Sequence, residues 1–93
     1  YVPHAISKAG VVKMTESLAR VFAPKLRVNA ISPGAILLPD DWDEGAAKRF
    51  ASTTPLKRLG SPDDAVAAML YLLDAQYVTG ETIVVDGGRR IRK

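Results

Sequence analysis

The sequence predicts an α/β fold, the closing third of a doubly wound parallel sheet. Three observations carry this. Helical and strand patterns follow one another as helix, strand, long loop, helix, strand, an order that a right-handed crossover joins into parallel strands. Both strand candidates are short and read as buried on both faces. Two strands make a poor sheet, so each implies neighbours that these 93 residues do not supply.

The first element is a helix. Pro3 suits a first helical turn, where its missing N–H costs no hydrogen bond. Val11, Met14, Leu18, Val21 and Phe22 recur at helical spacing, while Ala5, Ala9, Val12 and Ala19 form a second, small-residue stripe. Two apolar faces imply two neighbours, for example a sheet and a partner subunit. Pro24 ends the helix, because a proline cannot complete an interior hydrogen bond. LRVNAIS, Leu26 to Ser32, then reads as a strand, uncharged after Arg27. Pro33-Gly34 breaks it and lets backbone approach a ligand closely.

Residues 35–60 are expected to form a long binding loop or lid. AILLP is apolar without a clear period, DDWDE sets acid around the single tryptophan, and GAAKRFAS has the make-up of a short helix. In SPDDAVAAMLYLL, Ser61 is the cap, Pro62 the first helical residue, and Asp63 and Asp64 face the positive end of the helix dipole. Ala65, Met69, Leu72 and Leu73 give this helix its core face. YVTG is a turn, TIVV (Thr82 to Val85) the second strand, and DGG its end. No internal repeat occurs.

Composition narrows the function classes. Hydrophobic residues make up 47% of the chain, which favours a globular domain over disorder. Cysteine is absent and His4 is the single histidine, so no disulfide, thiolate site or zinc centre is expected. That usage is compatible with a reducing cytoplasm. No apolar run approaches the ~20 residues of a membrane span, and the start does not read as a signal peptide. The net charge of +3 comes from the tail RRIRK, without which the body is near −1. A nucleic-acid partner is therefore not expected, and the tail is read as a solvated terminus. Tyr1 stands directly before a helix, which reads as a cut through a larger protein.

Four segments in order, SKAG, RVNAISPGAI, PLKRLGSPDDAVAAMLYLL and YVTGETIVVDGG, resemble the short-chain dehydrogenase/reductase family across almost the whole chain. SPGAILLP is similar to the pteridine-reductase branch. The resemblance implies a Rossmann-like fold, with residues 1–93 as the C-terminal portion of one domain and 35–60 as its substrate-binding loop. The Gly-rich pyrophosphate loop and catalytic serine would belong to the preceding portion. It also implies NADP, or else NAD, as cofactor and hydride transfer to a carbonyl or C=N group, of pteridine type. Cytoplasmic location and a homo-oligomer, dimer or tetramer, are implied as well. No GxxxGxG occurs here, so the isolated chain is expected neither to hold a dinucleotide firmly nor to turn over.

In the family, a tyrosine four residues before a lysine moves the proton, and the lysine binds the nicotinamide ribose and lowers the tyrosine pKa. The matching positions are His4 and Lys8. Four helical steps advance ~6 Å and bring both to one face. Lys8 keeps the ribose role. Only His4 occupies the tyrosine's place; Tyr1 would stand ~10 Å away along the axis and ahead of Pro3. Imidazole can serve as a general acid, and a neutral ring beside a lysine cation still has an N–H to donate. Two readings stand: an adapted proton donor, or a polar helix-start residue in a non-catalytic relative that binds or assembles. The resemblance further assigns Pro33, Gly34 and Ile36 to the carboxamide end of the cofactor. Leu38 stands where a family threonine often touches phosphate. Leu38, Pro39 and Trp42 are the candidate substrate wall, with Trp42 equally suited to packing a lid. Asn29, Asp86, Gly87 and Gly88 are assigned structural work.

Overall fold

The computed structural model describes the backbone of residues 2–34 and 43–92 and, within these ranges, the side chains from Ile6 onward. The elements are α1 (Val2–Phe22), β1 (Ala30–Pro33), α2 (Glu44–Ser52), α3 (Pro62–Asp74) and β2 (Thr82–Val85), followed by a short 3₁₀ turn at Arg89–Ile91. The two strands pair in parallel, Ala30 opposite Thr82 and Pro33 opposite Val85. Their connection carries α2 and α3, as a parallel crossover requires. Helix α3 packs on both strands and α1 packs on β1.

The face that α1 turns inward is the stripe Lys8, Val12, Thr15 and Ala19, at helical spacing. Thr15 is buried because its Oγ1 donates to the Val11 carbonyl at 2.8 Å, which satisfies the hydroxyl locally. Ala19 is buried beside Gly80, whose backbone has the left-handed φ of +76°. A Cβ there would lie 3.5 Å from that of Ala19, so the stripe of small residues sets how near the helix comes. The larger apolar residues Met14, Leu18, Val21 and Phe22 stay exposed, Val21 at 72%.

Regular pairing starts at Ala30 rather than at Leu26, four residues later than the apolar pattern suggests. Side chains stand in for the ladder ahead of that point. Thr79 Oγ1 accepts from the Val28 N–H at 3.1 Å. Asn29 donates to the Val78 carbonyl at 3.1 Å and accepts from the Glu81 N–H at 3.0 Å, the structural work expected of it. The ladder then runs from the Ala30 N–H to the Glu81 carbonyl, 2.9 Å, through to the Gly34 N–H and the Val85 carbonyl, 2.7 Å.

Helix α3 begins as its sequence indicates. Ser61 is the cap, Pro62 opens the first turn, and the Asp64 carboxylate accepts the Ser61 N–H at 2.8 Å. Its other end has no basic residue of its own. Arg27, from the segment before β1, supplies the charge: its guanidinium donates to the carbonyls of Leu72 at 2.8 Å, Leu73 at 3.0 Å and Ala75 at 2.9 Å. One side chain thus satisfies the orphan carbonyls and complements the dipole. Ala19 and Leu72 are the buried apolar residues among those described, and both strands are only half-buried. The double-sided cover that their sequences anticipate is therefore not supplied within the described residues.

The tail is more anchored than a solvated terminus. Asp86 accepts from the N–H groups of Gly88 at 2.9 Å and Arg90 at 3.0 Å, which fixes the 3₁₀ turn. The Arg89 guanidinium lies 4.4 Å from the centroid of the Phe50 ring, and its Nε donates to Thr53 Oγ1 at 3.2 Å. Composition alone made this stretch look like loose charge; the Asp-Gly-Gly turn folds it back onto α2.

Candidate active site

Ligands of open parallel sheets gather outside the carboxyl ends of the strands. At that end of β1 the structure forms two hollows. The first, about 260 Å³, lies between α1 and the sheet and is lined by Ser7, Lys8, Val11, Val12, Ile31, Ser32, Pro33 and Thr82. Lys8 enters it because it shares the inward stripe of α1, one turn before Val12. The floor is apolar, from Val11, Val12 and Ile31, and one cation stands at its side.

A polar group that the sequence reading missed belongs here. Thr82 Oγ1 is buried and has no hydrogen-bond partner among the described residues. Such a hydroxyl costs about 1–3 kcal/mol until something meets it. The only sequence clue is a threonine opening the apolar run TIVV.

The second hollow, about 340 Å³, is reached from Gly34 and is walled by the end of β2 (Val84 to Gly88) and by Phe50, Thr54, Leu56, Arg58 and Asp64. Gly34 thus lines a different hollow from Lys8. A Cβ at Gly34 would stand 3.0 Å from both Cα and Cβ of Asp86, so close strand-end packing already requires glycine. Across this hollow Arg58 grips Asp64 with two hydrogen bonds, 3.0 and 3.2 Å. The Arg58 hydrogen bonds foremost, together with the Ser61 N–H, hold the Asp64 carboxyl down at about 2.

Of the residues the sequence singles out, Lys8 and Pro33 are brought into one hollow. Gly34 adjoins them on the chain and lines the other. His4 lies on the first turn of α1, one turn before Lys8, with its side chain outside the described residues. Ile36, Leu38, Pro39 and Trp42 also lie outside them, and α2 occupies the centre of the 35–60 segment. Among the described residues no group of His, Cys, Asp and Glu could hold a metal ion, and no helix is long and apolar enough to cross a membrane.

Lys8 and the apolar floor fit the nicotinamide-ribose end of a dinucleotide: hydroxyls for the cation, a flat ring for the floor.

Comparison with known proteins agrees with the α/β fold and its parallel strands. A family model for enoyl-(acyl carrier protein) reductase matches residues 1–90. A putative ketoacyl reductase of granaticin polyketide synthesis from Streptomyces violaceoruber is 39% identical over 97% of the chain and 38% of its own length. Dihydromonapterin reductase of Klebsiella pneumoniae is 36% identical over 99% of the chain and, again, 38% of its own length. A short-chain dehydrogenase of Leptospira borgpetersenii, solved with bound NAD+, superposes with a TM-score of 0.78 at 39% identity, over 91% of this chain and 34% of that one. A small-chain dehydrogenase in complex with NADPH gives 0.80 at 34% identity, over 89% and 40%. The chain spans well under half of each relative.

Proposed function

The chain belongs to the short-chain dehydrogenase/reductase family, and on that premise we propose that it is the C-terminal portion of an NAD(P)H-dependent reductase domain. The observation that carries the proposal is Lys8 facing Ser32 and Pro33 in one hollow at the carboxyl end of β1. NADP is the proposed cofactor and NAD the alternative, in keeping with the two complexes above. When bound, the dinucleotide supplies the hydride.

This chain's residues do the rest. Lys8 holds the ribose hydroxyls and, as a cation, stabilises the conjugate base of a donor one turn earlier on the same face. His4 is that donor and delivers the proton to the reduced carbonyl oxygen or imine nitrogen. Pro33, Gly34 and Ile36 meet the carboxamide end. The 35–60 segment is the proposed substrate-binding segment, with Leu38, Pro39 and Trp42 as the residues whose apolar character suits a flat pterin or a similar carbonyl compound. The dihydromonapterin reductase similarity supports the pterin class, and the ketoacyl reductase supports the carbonyl class. The reading extends to a cytoplasmic homo-oligomer, dimer or tetramer, assembled in part through the exposed stripe of α1.

A second reading has one specific feature in its favour: histidine where the family has tyrosine. A relative that keeps the fold to bind or assemble would show that change.

Lys8→Met in the full-length protein tests the site. NADPH oxidation with a dihydropterin or ketone acceptor is expected to fall about a hundredfold or more in kcat/KM, the range of a positioned acid–base contribution. An unchanged rate would remove Lys8 from the site.

A further inference from the structure

A third hollow shares Thr54 with the second and has otherwise its own lining. It is about 330 Å³, between the last turn of α2 and the tail, and is lined by Ser52, Thr53, Thr54, Pro55, Lys57 and Arg92. Its lining holds two cations and three hydroxyls and no carboxylate. We propose that this hollow binds a phosphoryl group, gripped by Lys57 and Arg92.

The cations are fixed but not consumed. Lys57 Nζ donates to the Ser52 carbonyl at 2.9 Å, and Arg92 Nη1 donates to the Arg89 carbonyl at 3.1 Å. An ammonium has three donors and a guanidinium five, so each head keeps spare N–H groups to offer an anion. The Ser52 and Thr53 hydroxyl hydrogens are already given to the carbonyls of Arg49 and Phe50, at 2.7 and 2.6 Å, so the two cations alone supply the donors to the anion. Neighbouring carboxylates are committed elsewhere: Asp64 to Arg58 and Ser61, Asp86 to the 3₁₀ turn.

Lys57 has φ = +60°, the one non-glycine residue in the left-handed region among those described. Glycine would adopt that conformation without penalty, whereas a side chain there costs about 1 kcal/mol or more. From that conformation the Lys57 head lines the hollow and bonds the Ser52 carbonyl. The volume is that of a small-molecule pocket, so a small phosphate ester fits as well as the free ion.

The test uses the full-length protein and the variants Lys57→Gly and Arg92→Ala, with thermal midpoints followed against inorganic phosphate at constant ionic strength. Phosphate is expected to raise the wild-type midpoint saturably, with a half-effect concentration about tenfold higher in each variant, the loss of one charge-assisted hydrogen bond. Without phosphate, Lys57→Gly should melt at or above the wild type, because strain is relieved. A parallel titration with glycerol 3-phosphate separates the sources: tighter binding marks an ester, equal binding the ion. Phosphate shifts that are the same in wild type and both variants would overturn the proposal.

Discussion

At the scale of single residues, glycine and asparagine around β1 show how local chemistry places the site. Asn29 was legible as structural, yet its two partners, Val78 and Glu81, lie about fifty positions on, and no local pattern names them. Gly34 reads from sequence as a glycine that admits a ligand. The structure gives it a nearer reason, the 3.0 Å approach to Asp86. Gly34→Ala should therefore destabilise the fold by about 1–3 kcal/mol, as overpacking does. Urea unfolding of the full-length protein checks this, and a loss of cofactor affinity at unchanged stability would mean that the ligand, not Asp86, sets the glycine. Thr82 is the residue that sequence reasoning could not find. Its importance lies in a missing hydrogen bond, which exists only once the fold is formed.

At the scale of elements, what could be read was what is written locally. The end of α1 near Pro24, the Ser61 cap with Pro62 behind it, and the TIVV strand each depend on residues a few positions apart. The start of β1 did not follow its apolar run, because side chains of Thr79 and Asn29 replace the ladder there. The far end of α3 is likewise completed from a distance by Arg27, 45 residues before Leu72. The near end of α3 carries a pH signature. Asp64 is lowered from 3.8 to about 2, first by the Arg58 hydrogen bonds. A depressed carboxyl contributes stability that is complete above its unfolded pKa and lost as pH falls through the folded one. The melting difference between wild type and Arg58→Ala should thus be level above about pH 5 and close between about pH 4 and 2. A gap that persists to pH 2 would show that Arg58 acts through packing instead. The pair is exposed enough that the gap itself will be small.

At the scale of the whole molecule, the chain is more open than its mass allows for a self-contained domain. Its accessible surface is 7084 Å², against about 5,200 Å² for a folded monomer of 10.0 kDa. Its radius of gyration is 15.2 Å, above the ~13 Å of a compact chain of this size. The excess sits where the sequence promised neighbours: the Met14–Val21 stripe of α1, and strands left half-buried. That fits the proposal of a C-terminal portion whose remaining sheet, and whose partner subunits, cover these faces. The fold class was legible because helical and strand periods survive without neighbours. The proposed chemistry rests on the SKAG and SPGA segments, and the residues it proposes, His4 and Lys8, lie one turn apart on α1.

The most direct test is the steady-state rate of NADPH-dependent reduction by the full-length protein and its His4→Tyr variant, with a dihydropterin and a ketone as acceptors. If His4 is the proton donor, the wild type turns over and His4→Tyr is slower on its best acceptor. An inert wild type that gains activity when tyrosine is placed at position 4 would contradict that account.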